Sequence, residues 1–422
     1  MRATSSTEPV GRSRSGAVVW SRSFLQYRWS ADHPMSPTRL ALTMALAENV
    51  GILDDVETIA PGIAAETELL RVHTRGYIDA VAKASAAGEP AILPGPEFDH
   101  GLGSDDNPIF AGMHEAGSVI AGGTMAAARA IADGVATRAV NIGGGMHHAM
   151  SDYASGFCVY NDAAVAISWL LDRGYERIAY IDVDVHHGDG VQAAFQDDPR
   201  VMTVSIHQHP ATLWPNTGWA AEIGKGAAEG TIVNIPLLPG TEDALWLRAF
   251  HGVVPSVLRA FKPQIIVSQC GVDTHKEDPL ADLSLTVEGQ VGAFRAMRDL
   301  ADELCEGRWL AVGGGGYGVI RVVPRSWTHL LATALDRDLD PTTPIPEKWK
   351  QTVHESVPGI ELPDTFGDGG SAYYAPWDGP GGAPDTGDPR HDRAVERVDG
   401  AILAVRRSVF PTLGLDPDDV RD

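Results

Sequence analysis

The sequence predicts an α/β protein: one mainly parallel sheet of about eight strands, covered by helices on both faces so that the domain has three layers. Two observations carry this. From Ala17 to about Leu335, short β-branched or apolar runs alternate with Ala-rich stretches whose apolar residues recur at spacings of three and four. Several of the short runs also end in clusters of Gly, Asp and His. Open α/β sheets assemble their sites in that way, at the carboxyl ends of their strands.

Taken in order, the strands are expected at Ala17–Trp20, Asp55–Ile59, Ala139–Ile142, Ile178–Asp184, Val201–Ile206, Ile232–Ile235, Ile265–Gln269 and Leu310–Gly313. Helices are expected at Leu40–Glu48, Ala116–Ile131, Ala163–Leu171, Ala244–Ala260 and Val287–Glu306, each between two strands, as parallel crossovers require. Residues 1–16 read as a flexible tail and 17–340 as the main domain. After about Asp340 the composition changes. Gly367 to Asp392 is crowded with Gly, Pro and Asp, and Arg393–Phe410 is a candidate terminal helix. Residues 341–422 therefore read as an accessory extension.

Composition narrows the function. With 33 Lys and Arg against 56 Asp and Glu, the net charge is −23, which disfavours nucleic acid, whose non-specific binding depends on phosphate neutralisation. No apolar stretch is long enough for a membrane span, and Met1 to Gly16 lacks the apolar core of a secretion signal. Cys158, Cys270 and Cys305 lie far apart without CxxC spacing, so neither a disulfide framework nor a thiolate zinc site is expected. A reduced cytoplasm is the simplest setting.

The most informative run is Asp182 to Gly190, which reads DVDVHHGDG after the apolar Ile178–Ile181. On a strand, Asp182, Asp184 and His186 share one face. Three ionisable groups on a buried face are costly unless a metal or hydrogen bonds compensate them, so this is a candidate metal site. Gly143-Gly144-Gly145-Met146-His147-His148 follows the third strand, Cys270-Gly271-Val272-Asp273 the seventh, and Gly313 to Gly318, with Tyr317, the eighth. Upstream, Gly101 to Asp106 offers carboxylates on a glycine-rich loop. Taken singly, each has a plainer reading: paired histidines also arise in packing, and a strand-end Asp often caps a helix or turn. His207, His209 and His275 are competing ligands, with Asp273 preferred for its closeness to a strand end.

Together, these motifs resemble the histone deacetylase family of arginase-like deacetylases, most of all its bacterial acetoin-utilisation branch. The matching stretches include His33 to Arg39, Gly101-Leu102-Gly103, Gly145 to Ala149, Ala154 to Cys158, Asn161-Asp162, Asp182 to Gly190, Pro215 to Gly218, Gly271 to Asp273 and Gly313 to Tyr317. The resemblance implies an arginase/deacetylase-like fold, residues 17–340 as the catalytic domain, and hydrolysis of acetyl-lysine on a protein or peptide, with a link to acetoin or acetate metabolism. It makes Asp184, His186 and Asp273 the ligands of Zn²⁺, with Fe²⁺ compatible with the same donors. It makes His147 the base that takes a proton from the attacking water, His148 the acid for the leaving amine, and Asp182 and Asp189 their orienting carboxylates. Tyr317 becomes the oxyanion donor. Phe157 and Trp214, with Gly156, would line the acyl-lysine tunnel, and Asp105 would hold the substrate backbone at the rim. A K⁺ site is implied at Asp182, Asp184, Ser205 and the backbone of His186 and Ile206.

Met146, Ser104 and Asn216 depart from the residues common in the family at the pocket floor and rim. Leu280 stands where polyamine-preferring relatives carry an acidic gatekeeper. An acetylpolyamine or small acyl-amine hydrolase is the neighbouring alternative. A ureohydrolase would need two Mn²⁺, and a non-catalytic acetyl-lysine binder would lack one of the groups present here.

Overall fold

The computed structural model describes residues 16–87, 100–337, 339–380 and 387–422. The expected tail therefore lies outside the described residues except for Gly16. Strands β1 (Gly16–Val19), β2 (Glu57–Ile59), β3 (Arg138–Asn141), β4 (Ile178–Asp182), β5 (Val201–Gln208), β6 (Ile232–Leu237), β7 (Ile265–Gln269) and β8 (Trp309–Val312) form one sheet in the order β2-β1-β3-β8-β7-β4-β5-β6. Every pairing is parallel. The six strands β3 to β8 are buried along their whole length, as a sheet covered on both faces requires, and only the edge strand β2 faces water.

The covering helices are α1 (Thr38–Asn49), α2 (Glu66–Leu69), α3 (Arg75–Ala87), α4 (Met113–Ala132), α5 (Asp162–Asp172), α6 (Asp189–Phe195), α7 (Asp243–Phe261), α8 (Val287–Leu304), α9 (Val323–Ala334), α10 (Glu347–Ser356) and α11 (Pro389–Val409). None is long and apolar enough to cross a membrane. Two indoles brace the sheet: Trp309 Nε1 of β8 donates to Ser268 Oγ of β7 at 2.8 Å, and Trp327 Nε1 ties α9 to the Cys270 carbonyl at the end of β7 at 2.9 Å. Both rings are fully buried, so each supplies apolar area while its single donor is satisfied.

The differences from expectation have local causes. β4 stops at Asp182, two residues early, because the Asp182 carboxylate accepts the Asp184 N–H at 3.2 Å and turns the chain out of the ladder. Asp184 and His186 consequently lie on a loop, and the strand pleat does not bring them together. Helix α9 is buried at every position, its polar residues Arg325, Ser326, Thr328 and His329 included, so it escapes a reading that expects polar residues to face water. Helix α6 is short and begins inside the Asp182–Gly190 motif.

The C-terminal segment packs on the main body. Trp349 of α10 donates to the Leu42 carbonyl of α1 at 3.0 Å, and Val398, Ile402, Val405 and Val409 of α11 join the main core. Arg248 of α7 is held by Asp399 of α11 at 2.7 Å and by Asp378 at 2.9 Å. Arg406 is only 1% exposed. It donates to the carbonyls of Gly252 (2.9 Å), Pro417 (2.8 Å) and Asp419 (2.7 Å), with its guanidinium over Phe410. Removing that donor takes a partner from the buried Gly252 carbonyl and from the half-buried Pro417 and Asp419 carbonyls. Arg406→Met should lower stability by about 2–4 kcal/mol, read as a lower urea midpoint. A midpoint equal to wild type would show that these contacts hold nothing together.

Candidate active site

The sheet order determines where the chemistry gathers. β3, β8, β7 and β4 are consecutive neighbours at its centre, and the four motifs leave their carboxyl ends side by side. His147 and His148 follow β3, Tyr317 follows β8, Asp273 follows β7, and Asp184 and His186 follow β4.

Asp184, His186 and Asp273 offer donor atoms that all lie within 4.8 Å of one another. His186 Nδ1 is 3.2 Å from Asp184 Oδ1 and 3.3 Å from Asp273 Oδ2. Tetrahedral ligands at about 2.0–2.1 Å from an ion lie about 3.3 Å from each other, so the spacing is that of a coordination shell. The carboxylates are oriented from behind. Asp184 Oδ2 accepts from Gln269 Nε2 (2.6 Å) and the Gly315 N–H (2.7 Å), and Asp273 Oδ1 accepts from the Val185 N–H (2.8 Å). A Cβ on Gly315 would fall 2.0 Å from Asp273 Oδ2, so only glycine lets the backbone approach this closely. Burial, reinforced by Asp184, pushes Asp273 up to about 7. Burial opposes charge on His186, yet the two carboxylates hold it up at about 10. The donor set and its charge fit one divalent cation, Zn²⁺ or Fe²⁺.

The histidines stand beside this triad with ring centroids 3.9 Å apart. His147 Nδ1 lies 2.8 Å from Asp182 Oδ2, which also accepts from Tyr180 Oη at 2.7 Å. His148 Nδ1 lies 2.7 Å from Asp189 Oδ1. A carboxylate on Nδ1 fixes that nitrogen as the donor and leaves Nε2 free to face substrate. His147 Nε2 is 3.9 Å from Asp184 Oδ2. Burial works against charge on both rings. The carboxylates of Asp182 and Asp184 nevertheless raise His147 to about 9, whereas burial and the neighbouring His147 and His186 drive His148 well below its ordinary value. The two rings are thus pushed to opposite protonation preferences. Burial also raises Asp182, and raises Asp189 to about 6.

Tyr317 is half-buried, its ring edge-on to Phe157 at 5.7 Å, and its N–H donates to Asp278 Oδ2 at 2.8 Å. Burial and the carboxylates of Asp273 and Asp184 raise the phenol well above its ordinary value, so it stays an O–H donor. Trp214, 40% exposed, stands edge-on over the buried His148 at 4.6 Å. Phe157 holds an uncommon left-handed φ of 67°. At Gly156 a Cβ would meet His148 at 2.5 Å and Trp214 at 2.6 Å, closing the approach to the histidines.

The remaining expected residues are placed more loosely. Asp105 is exposed and makes no hydrogen bond within the chain among the described residues. Leu280 is half-buried, its N–H held by Asp278 Oδ1 at 3.0 Å, so one carboxylate links it to Tyr317. Asp182 lies opposite Ser205 in the β4–β5 register, and Ile206 follows on β5, so the residues expected around K⁺ are neighbours. The competing histidines are engaged elsewhere. His207 Nε2 lies 2.9 Å from the Gly218 carbonyl, His275 Nε2 is 2.8 Å from Asp368, and His209 packs edge-on against Trp219 at 5.2 Å. None of them joins the triad.

Sequence reasoning assigned no role to Gln269, Asp278, Arg39 or Asp162. Arg39 donates to the Gly316 carbonyl at 3.0 Å, and Asp162 takes the N–H groups of Gly145 and Met146 at 3.0 and 2.8 Å. Both loops that carry catalytic candidates are therefore held by buried charge. Arg39 and Asp162 stood inside quoted motifs, which was the available signal.

Residues 33–334 match the family model described as the histone deacetylase domain. The acetoin utilization protein AcuC of Bacillus subtilis (strain 168) is 42% identical over 361 residues, which is 85% of this chain and 92% of that protein. That of Staphylococcus aureus (strain MRSA252) is 38% identical over 346 residues, covering 81% of this chain and 88% of the relative. The crystal structure of an HDAC homolog from Aquifex aeolicus superposes with a TM-score of 0.76 at 28% identity, covering 91% of this chain and all of that one. The same values hold for an HDAC homolog complexed with SAHA.

The triad makes a direct prediction. Elemental analysis should find one divalent ion per chain, and His186→Ala or Asp273→Asn should weaken its binding by at least about 100-fold. Full metal content in both variants would rule these residues out as ligands.

Proposed function

The chain belongs to the histone deacetylase family, and from that premise we propose that it is a metal-dependent protein lysine deacetylase, hydrolysing the N-acetyl amide of a lysine side chain and releasing acetate. The observation that carries the reading is the convergence, at the ends of four central strands, of the Asp184–His186–Asp273 triad with two carboxylate-backed histidines and the Tyr317 loop. Zn²⁺ or Fe²⁺ bound by the triad would polarise the acyl carbonyl and bring the pKa of a water to about 7.

The chain's own groups do the rest. His147 accepts the proton of the attacking water at Nε2, while Asp182 holds its Nδ1 proton. Asp184 helps to raise His147 here; a cation held by that carboxylate would offset its contribution and bring His147 down toward the range of a working base. His148, oriented by Asp189, is the donor to the departing lysine amine; the charged His147 and His186 that join burial in depressing it would both be neutral in the working site, one as a base and the other as a metal ligand. Tyr317 donates its hydroxyl hydrogen bond to the oxyanion that forms as the carbonyl carbon becomes tetrahedral. The lysine chain lies between Phe157 and Trp214 and passes Gly156, with Asp105 at the rim for the peptide backbone. K⁺ beside Asp182, Ser205 and Ile206 would steady the β4 and β5 ends. Leu280, apolar and tied to the Tyr317 loop, favours an uncharged neighbour to the lysine chain over a polyamine. The relatives' designation as acetoin utilization proteins supports a substrate connected with acetoin or acetate use.

Tyr317→Phe should keep its fold and its metal while turnover of an acetyl-lysine peptide falls by about 10²–10³. Acetate release is the readout, with acetylspermidine assayed alongside. Wild-type turnover by the variant would remove Tyr317 from the chemistry, and a strong preference for acetylspermidine would reassign the substrate.

A further inference from the structure

A cavity of about 340 Å³ lies between the turn that follows β6 and helix α11, and shares no lining residue with the catalytic candidates. Its volume falls in the range of pockets that enclose small molecules, about 300–1,000 Å³. Leu237, Leu238 and Leu245 line it from β6 and the start of α7, and Val398 and Ala401 line it from α11. Trp219 also lines it and is 45% exposed, so apolar surface is held open to water.

The polar content of the cavity is selective. Among the described residues no Asp or Glu lines it, and Arg397 is the one lining residue of fixed charge. Arg397 is exposed and makes no ion pair or hydrogen bond among the described residues. The contrast with its surroundings is sharp. In a chain of net charge −23, Arg248 beneath the same helix is paired with both Asp399 and Asp378. A free guanidinium at the edge of an apolar cavity presents a planar donor fork suited to a carboxylate.

We propose that this cavity is a binding site for a small amphipathic monoanion: an apolar chain or ring lies against Leu237, Leu245 and Ala401, and its carboxylate pairs with Arg397. His209 and Trp219, which also line it, bracket the segment that carries Trp214 over His148.

Calorimetric titration of the full-length protein with decanoate tests this, with decylamine as the control of opposite charge. Decanoate should saturate one site with a Kd below about 1 mM. Arg397→Glu should weaken it at least tenfold, Ala401→Trp should abolish it by filling the cavity, and decylamine should not bind. Neither residue touches the catalytic groups, so both variants should keep wild-type turnover. Absence of saturable binding, binding untouched by both variants, or equal binding of decylamine would each overturn the proposal. So would a dimer in sedimentation that Ala401→Trp dissociates, since a second copy would then be the occupant.

Discussion

The fully buried carboxylates of Asp184 and Asp273, brought to one imidazole at the carboxyl ends of the central strands, form the interaction on which the rest of this structure depends. Unpaired, two such charges would cost several kcal/mol each to take out of water. The surrounding chain lowers that cost with directed donors: the Val185 and Gly315 amides, the Gln269 side-chain amide, and the backbone N–H and ring of His186. What remains is a concentrated negative potential with fixed geometry, and a divalent cation is the group that best answers it. The shape of the loops, the glycines at Gly271 and Gly315 and the early end of β4 all serve this convergence.

A second layer of buried charge holds the first in place. Asp162 grips the backbone before His147, Arg39 grips the Gly316 carbonyl, and Asp278 grips the Tyr317 amide and the Leu280 amide together. Asp368, from the C-terminal segment, holds His275, two residues beyond Asp273, and is itself held by Arg325. Glycine-rich loops would otherwise be free to move, and these contacts convert them into a rigid frame. The two histidines are differentiated in the same way. Adjacent rings with separate carboxylates and different charged neighbours acquire opposite protonation tendencies without any difference in chemical type.

Much of this was legible in the sequence, for physical reasons. Buried parallel strands are short apolar runs, and β7 at Ile265–Gln269 matches its expected limits fully. The ligands could be picked out because charge at a buried strand end demands an explanation, and the order of motifs matched a known family. The pleat argument for Asp182, Asp184 and His186 reached the right residues by the wrong geometry, since a side-chain-to-backbone bond at Asp182 ends the strand first. Helix α9 buries its polar residues along with its apolar ones, so its burial could not be read from the sequence pattern. Asp278 and Gln269 were invisible because their roles come from hydrogen bonds between segments far apart in the chain. The packing of α10 and α11 on the main core likewise depends on long-range partners, Leu42 for Trp349 of α10 and Arg248 and Gly252 for α11, which composition cannot announce.

The most direct measurement is a reconstitution titration. Protein stripped of metal by chelation, then given Zn²⁺ or Fe²⁺ in increments, is assayed for acetate release from an acetyl-lysine peptide. One ion held by Asp184, His186 and Asp273 predicts negligible initial activity that climbs linearly and breaks at one equivalent. Full activity in the stripped protein, or a break at two equivalents, would contradict a single-ion site.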